Sequence, residues 1–328
     1  MMKFLIPSVL ALTILQGCNT KTPEQKMVRI IFDSDFGPDY DDVGALAFLH
    51  AMADSGKIEI LGTISSNKHE LVGPSMNVMN TYFGRPDLPM GAPKAGGINL
   101  GSFQHWPDSI IARYPHRIQS TSELPDAVET YRKILNQQPD FSVTIVTVGF
   151  LTNLAGLLRS QADSICSLSG SELISKKVRQ LVSMAGRFPA GKEFNLQLDS
   201  AASFYVFEHW PTPVIFTGFE IGWEIRTGRR LINSKLQNNP VKDVFSICIP
   251  MSAEDSLGRM SWDETAVLIG IYGTRGFFST KTGKIIVNPD GSNSWIDDPQ
   301  GNHTYVVQEM PVEKMSLFIE DRMMYCKK

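Results

Sequence analysis

Asp33-Ser34-Asp35-Phe36-Gly37-Pro38-Asp39-Tyr40-Asp41-Asp42 places five carboxylates within ten residues. The apolar run Val28-Arg29-Ile30-Ile31-Phe32 precedes it and reads as a buried strand. Val43-Gly44-Ala45-Leu46-Ala47-Phe48-Leu49-His50-Ala51-Met52 follows it and reads as a helix. The acids therefore sit on a strand-to-helix loop at the carboxyl end of the strand, where open α/β sheets place their ligands. Like charges at this density repel one another. Solvation, the positive end of the helix or a hard cation with oxygen ligands would make them tolerable. Three readings follow: a solvated acidic loop, an EF-hand, whose start Asp33, Asp35 and Gly37 resemble, or a metal site for catalysis. An EF-hand is excluded, because its glycine would be one place early and Gly44 stands where its bidentate glutamate belongs. A strand ending in Asp-x-Asp also suits an aspartate-nucleophile phosphatase built on Asp33 and Asp35.

Outward from that loop, strands and helices alternate. Lys57 to Ser65 is a second buried strand, and Asn67 follows it on another carboxyl-end loop. Pro74 to Phe83 is helical. Residues 95–119 are rich in Gly, Pro and aromatics, and read as an irregular segment lying over the site. Asp126 to Asn136 is a helix and Ser142 to Val148 a strand, with a further helix to about Arg159. Val178 to Met184 is a strand, Gly186 to Phe194 a loop, Asp199 to His209 a helix capped by Asp199, and Val214 to Thr217 a strand. Ser261 begins a helix reaching Tyr272, and the tail has short strands at 284–288 and 304–308. This alternation predicts an α/β fold: a doubly wound, mostly parallel sheet flanked by helices.

The 328 residues, 42% of them hydrophobic and 20% charged, have an ordinary globular balance. A formal net charge of −3 and the lack of a basic run argue against a nucleic-acid partner. The first residues differ from the rest. Met1-Met2-Lys3 is positive, Phe4 to Leu15 is apolar, and Leu15-Gln16-Gly17-Cys18 follows, the pattern of a signal peptide. It resembles the bacterial lipobox, so residues 1–18 read as a lipoprotein leader with Cys18 lipidated. Residues 19–26 read as a tether and 27–328 as a single catalytic domain held at the bacterial envelope. Beyond the leader no stretch is apolar enough to span a membrane, so membrane association is expected only through the lipid. The other cysteines, Cys166, Cys248 and Cys326, show no zinc or disulfide spacing.

Taken together, the motifs resemble the nucleoside hydrolase family of the inosine-uridine-preferring type. Asp33-Ser34-Asp35-Phe36-Gly37 and Asp41-Asp42-Val43 resemble its D-T-D-P-G-x-D-D-A signature, with Pro38-Asp39-Tyr40 lengthening the loop. Val148-Gly149-Phe150-Leu151-Thr152-Asn153-Leu154-Ala155 resembles T-G-P-L-T-N-x-A. Glu193-Phe194-Asn195 with Asp199 matches E-F-N-x-x-x-D, and Trp262-Asp263 stands where the family has His-Asp. The resemblance implies Ca²⁺-dependent hydrolysis of a riboside into ribose and base, in a chain that forms a dimer or tetramer. Asp35, Asp42, Asp263 and the Val148 carbonyl would ligate the ion, and Asp35 would take the proton from its water. Asp41, Asn67, Glu193 and Asn195 would hold the ribose, with Asp33 in support. Trp262 would stack on the base or donate its indole N–H. A titratable group is missing there, since tryptophan replaces histidine. His105, His116 and His303 lie on irregular segments and receive no role. A riboside-binding lipoprotein without turnover is the competing reading.

Overall fold

The computed structural model describes residues 1–2, 27–94 and 96–326. The apolar leader from residue 3, the expected lipid-bearing Cys18 and the tether lie outside them. No helix among the described residues is long and apolar enough to cross a membrane.

Among the described residues twelve strands occur in chain order. They are β1 (Val28–Ser34), β2 (Ile58–Ser65), β3 (Met90–Gly91), β4 (Val143–Thr147), β5 (Val178–Met184) and β6 (Ala190–Lys192). The rest are β7 (Val214–Thr217), β8 (Arg226–Thr227), β9 (Arg259–Met260), β10 (Phe278–Val287), β11 (Ser292–Asp297) and β12 (His303–Gln308). Ten of them form one sheet in the order β3-β2-β1-β4-β5-β7-β12-β10-β11-β6, and β8 pairs with β9 in a separate ribbon. From β3 across to β12 the neighbours are parallel. From β12 through β10 and β11 to β6 they are antiparallel. The fold is thus α/β with a mixed, mainly parallel sheet and helices on both faces.

Strand alternation divides the core in two. Ile30 and Phe32 point to one face, where helices Asp41–Asp54 and Trp262–Tyr272 pack. Ile31 points to the other, among the helices Ala127–Asn136, Thr152–Arg159 and Ser200–His209. Apolar side chains on both faces are what a central parallel strand needs. The chain leaves β1 in one direction, through β2 to β3, and resumes in the other from β4. The crevice between the carboxyl ends of β1 and β4 is therefore the switch point of the sheet.

The described structure departs from the sequence reading in several places. β1 runs on through Ser34, and the next helix begins at Asp41, so Asp41 and Asp42 form its first turn. Their charge suits the exposed N–H groups there. Residues 95–119 contain a helix, Trp106–Arg113, with Pro107 in its first turn, where proline is tolerated rather than disruptive. The tail has a longer antiparallel extension than expected, and β6 lies inside the expected loop 186–194. Polar residues on β10 (Ser279-Thr280-Lys281-Thr282) are exposed and masked that strand's pattern. Asp199 precedes its helix as expected, but its carboxylate accepts from the Thr152 hydroxyl rather than capping.

Candidate active site

A cavity of about 320 Å³ opens over the switch point. Asp35, Asp41, Val148, Glu193, Asn195, Trp262 and Asp263 all border it. Asp42 lies just beneath, fully buried in the first turn of its helix. Nine of the ten interior residues named from the sequence, Asp33 to Asp263, thus gather at or under one crevice. Asn67 is the exception in character. Its amide nitrogen donates to the carbonyls of Asp35 (3.1 Å) and Leu100 (2.7 Å), and its oxygen accepts from the N–H groups of His69 and Leu100. That leaves a fully buried side chain engaged wholly with protein, so it props the loop of Asp35 instead of facing ribose.

The acidic loop is held by its own backbone. Phe36 is buried with φ 37°, a left-handed conformation unusual outside glycine, and its N–H donates to Ser34 Oγ (3.0 Å) and Asp42 Oδ1 (3.2 Å). The Ser34 hydroxyl also donates to Asp42 Oδ1. Gly149 lets this loop lie against the end of β4: a Cβ there would stand 2.3 Å from the Asp35 nitrogen and 2.5 Å from Ser66 Oγ. Asp33 lies under the loop with no exposure and does not border the cavity. Its Oδ2 accepts from the Tyr131 hydroxyl (2.8 Å) and Asn153 Nδ2 (3.0 Å), and burial pushes it up to about 7. A side chain so enclosed supports its neighbours; it is not placed as the nucleophile of a phosphatase.

Burial and neighbouring carboxylates raise Asp35, Asp42 and Asp263. Burial raises the Asp35 carboxyl, and the charges of Asp42, Asp39 and Asp41 raise it further. Burial and then Asp41 push Asp42 up to about 6. Asp263 is raised well above the carboxylate range by burial and by Asp41, Asp42, Asp39 and Asp35. Among the described residues no three His, Cys, Asp or Glu side chains are already drawn together as a metal cage. The donor set nevertheless fits a hard cation. Asp42 Oδ2 is buried without a hydrogen bond among the described residues, and the neighbouring donors are all oxygens. The Val148 carbonyl adds another, while also accepting from Asn195 Nδ2 at 3.0 Å.

Glu193 caps the short helix Phe194–Leu198. Its oxygens accept from the backbone N–H groups of Asn195 (2.8 Å), Gly186 (3.1 Å) and Leu196 (3.1 Å), and burial pushes it up to about 7. Asn195 donates to Val148 and Met184 carbonyls, so its amide nitrogen is engaged at the cavity edge.

Trp262 is half-buried on the opposite wall. Its indole N–H donates to the Phe219 carbonyl at 2.7 Å, so it is not free to donate to a base as the sequence suggested. Its ring is tilted against Phe219 at 5.2 Å, and the Arg259 guanidinium lies 5.0 Å over it. Gly222 makes room for it, since a Cβ there would lie 2.3 Å from Trp262 Cδ1. No histidine borders the cavity among the described residues. His303, expected on an irregular segment, is buried in β12 among Phe207 and Phe216.

Sequence reasoning missed Arg259. It lies buried at the cavity, donating to Asp41 Oδ1 through Nε (3.1 Å) and Nη2 (2.8 Å), and to Asp39. Asp255 stands 3.8 Å from Nη1 and accepts from the Tyr40 hydroxyl at 2.7 Å. The lengthened loop thus has structural work: Asp39 and Tyr40 join this network, while the carbonyls of Pro38 and Asp39 accept from Phe103 N and Trp106 Nε1. Phe103 and Gln104 are held at the cavity rim. A lone arginine near Trp-Asp carries no periodic signal, and only the nearby acids hinted at a partner.

The fold is that of nucleoside hydrolases. The structure resembles a purine-preferring ribonucleoside hydrolase from Gardnerella vaginalis with a TM-score of 0.70 at 17% identity, over 90% of this chain and 98% of that one. It resembles an inosine-uridine preferring nucleoside hydrolase from Bacillus anthracis with a TM-score of 0.69 at 16% identity, over 91% and 99%. The type III effector XopQ, solved with adenosine diphosphate ribose, aligns at 0.65 and 12% identity, over 91% and 92%. No curated protein matches the sequence. The family model for inosine-uridine preferring nucleoside hydrolases matches residues 30–309, and the chain belongs to that family. It is an N-ribosyl hydrolase.

Proposed function

We propose that the chain hydrolyses the N-glycosidic bond of a ribonucleoside or related riboside in a Ca²⁺-dependent reaction, giving ribose and free base. One observation carries the reading. Asp35 and Asp263 border one buried crevice at the sheet's switch point with Asp42 beneath it, and burial with the neighbouring carboxylates raises all three, which a bound cation would relieve. Asp35, Asp42, Asp263 and the Val148 carbonyl would hold it. Bound there, the ion would supply Lewis-acid polarisation of the attacking water and of ribose hydroxyls.

The chain's own groups account for the rest. Asp35 accepts a proton from the water that attacks the anomeric carbon. Asp41, oriented by Arg259, and Glu193 and Asn195, fixed by backbone contacts, orient the ribose hydroxyls. Asp33 supports the loop from beneath. The transition state resembles an oxocarbenium ion, and the surrounding carboxylates stabilise its positive charge. Aromatic faces at Trp262 and Phe219 receive the base. The lipobox-like Leu15-Gln16-Gly17-Cys18 supports export and lipid anchoring at a bacterial envelope.

A second reading, riboside binding without turnover, is favoured by the engaged Trp262 N–H. Reducing-sugar release from purine, pyrimidine and nitrophenyl ribosides, each with Ca²⁺ and with chelator, separates the two. Hydrolysis requires chelator-sensitive release from at least one riboside. Tight riboside binding without release would establish the second reading.

A further inference from the structure

Trp262 stands where an acid would assist the departing base, and its indole N–H is held by the Phe219 carbonyl at 2.7 Å. No histidine borders the cavity among the described residues. Glu193 accepts backbone N–H groups through both oxygens. A neutral purine or pyrimidine must nevertheless gain a proton as it departs, and general acid catalysis of that step is worth about 10²–10⁴-fold. The residues that lengthen the acidic loop, Pro38-Asp39-Tyr40, place a further carboxyl at the cavity.

Three carboxyls surround one cation there. Arg259 donates to Asp39 and to Asp41 Oδ1 (2.8 Å), and its Nη1 stands 3.8 Å from Asp255 Oδ1. One guanidinium does not balance three carboxylates in an enclosed crevice, so a proton held on one of them relieves the excess charge. Exposure decides which of them a ligand can reach. Asp41 and Asp255 are 2% and 1% exposed, and Asp255 has one oxygen occupied by the Tyr40 hydroxyl and the other buried. The Asp39 side chain is 37% exposed and borders the cavity. Its carbonyl accepts from Trp106 Nε1 at 2.8 Å, and that of Pro38 accepts from Phe103 N, so the loop is tied down on both sides. Arg259 also lies 5.0 Å over the Trp262 ring, which puts Asp39 on the wall where the base is expected. Asp41 and Asp42 act on Asp39 from the first turn of their helix and Arg259 from β9, while Asp35, Asp263 and Cys248 feel its charge. Desolvation pushes Asp39 up to about 8; Arg259 pulls it down, and Asp41 and Asp42 push it up.

We propose that Asp39 is the catalytic acid that protonates the departing base, a role that the loop extension supplies in place of the residue that Trp262 replaces. The proposal rests on the N-ribosyl hydrolase reading of this cavity and adds a residue to it. The C1′–N bond breaks and its electron pair stays with the base, a ring nitrogen of which takes the Asp39 proton. A C1′–O bond forms from water, whose proton passes to Asp35. The carboxylate left on Asp39 is stabilised by the charge-assisted hydrogen bond from Arg259. Solvent then returns a proton to Asp39 and removes one from Asp35. In sum, riboside and water give ribose and a neutral base.

The test measures kcat/KM for inosine, uridine and nitrophenyl riboside across pH, for wild type and Asp39→Asn, all in the presence of Ca²⁺. Nitrophenolate departs without a proton, so that substrate reports on the rest of the site. Removing the acid should lower the ratio of nucleoside to nitrophenyl riboside kcat/KM by about 100-fold or more, the lower bound for a general acid. Wild-type nucleoside cleavage should also fall as rising pH strips the proton from Asp39, and nitrophenyl riboside cleavage should lack that alkaline limb. Equal losses on all three substrates would mark a merely structural role and overturn the proposal. Wild-type nucleoside cleavage without an alkaline limb would overturn it whether or not the variant folds. Wild-type release from nitrophenyl riboside alone would overturn it too; in each of these cases hydrolysis itself would stand. Absence of ribose release from all three would overturn the hydrolase reading and this proposal with it.

Discussion

Arg259 closes on a single oxygen of Asp41, with Nε at 3.1 Å and Nη2 at 2.8 Å, and both side chains are almost wholly buried. One guanidinium therefore organises the first turn of the helix that carries the site. Arg259→Ala leaves Asp41 and Asp39 buried or partly buried without their cation. Breaking a buried pair from one side costs about 3–5 kcal/mol. Urea unfolding should show a loss of that order, and Arg259→Lys a smaller one. A change within about 0.5 kcal/mol, the range of ordinary surface substitutions, would mean that Arg259 is not the organising group.

Gly149 separates geometry from stability. An alanine Cβ would collide with the Asp35 nitrogen and Ser66 Oγ, so Gly149→Ala must push the acidic loop outward. Misplacement by about 1 Å can cost roughly 100-fold in rate. The expected outcome is a fall in kcat of about that size, with circular dichroism still reporting a folded protein. Unchanged kcat would show that the loop has slack that the described contacts do not reveal.

Ca²⁺ should leave a signature that needs no substrate. In its absence Asp263 sits buried among four other carboxylates, so Asp263→Asn should raise the melting temperature of the chelator-treated protein by relieving repulsion, an effect of about 1–2 kcal/mol. The wild type should gain stability on adding Ca²⁺, by about 2.7 kcal/mol at a hundred times Kd. The variant should gain much less. Equal Ca²⁺-induced shifts in both would remove Asp263 from the ligand set.

His303 supplies a pH effect remote from the site. Its Nδ1 accepts the Ile285 N–H at 3.3 Å, which requires the neutral ring, and burial pushes its pKa down to about 4. The folded value lies below the unfolded one, so the neutral ring contributes stability above about pH 6.5. That contribution is lost as pH falls from 6.5 through 4, by up to about 3 kcal/mol. The measurement is the difference in unfolding free energy between wild type and His303→Leu across that interval. A wild-type curve that falls more steeply supports the assignment; parallel curves would contradict it.

The parts of the molecule legible in the sequence were those with local patterning. β5 and β7 matched to the residue, because each is a short run with most of its side chains buried that ends at a glycine-bearing loop. The site was legible where motifs fall at strand ends: Asp35, Val148, Glu193 and Asn195 come together because the sheet brings its carboxyl ends to one crevice, and the first turn of the helix Trp262–Tyr272 adds Asp263. Long-range pairing was not legible. Nothing adjacent to Arg259 announces that it reaches Asp41, and nothing adjacent to Asn67 announces that Leu100 takes both halves of its amide. Trp262 was readable as a replacement, but the loss of its N–H to Phe219 depends on a helix some forty residues away. Pro107 concealed a helix because its position in the first turn, rather than its presence, decides its effect.

The most direct test of the central claim is ribose release from nitrophenyl riboside by wild type and Asp35→Asn, both with saturating Ca²⁺. Nitrophenolate departs without a proton donor, so the comparison isolates attack by water. The account predicts robust release by the wild type and a loss of at least about 100-fold in kcat for the variant, the usual lower bound for removing a general base. Turnover by Asp35→Asn at the wild-type rate would contradict the role of Asp35 and the mechanism built on it.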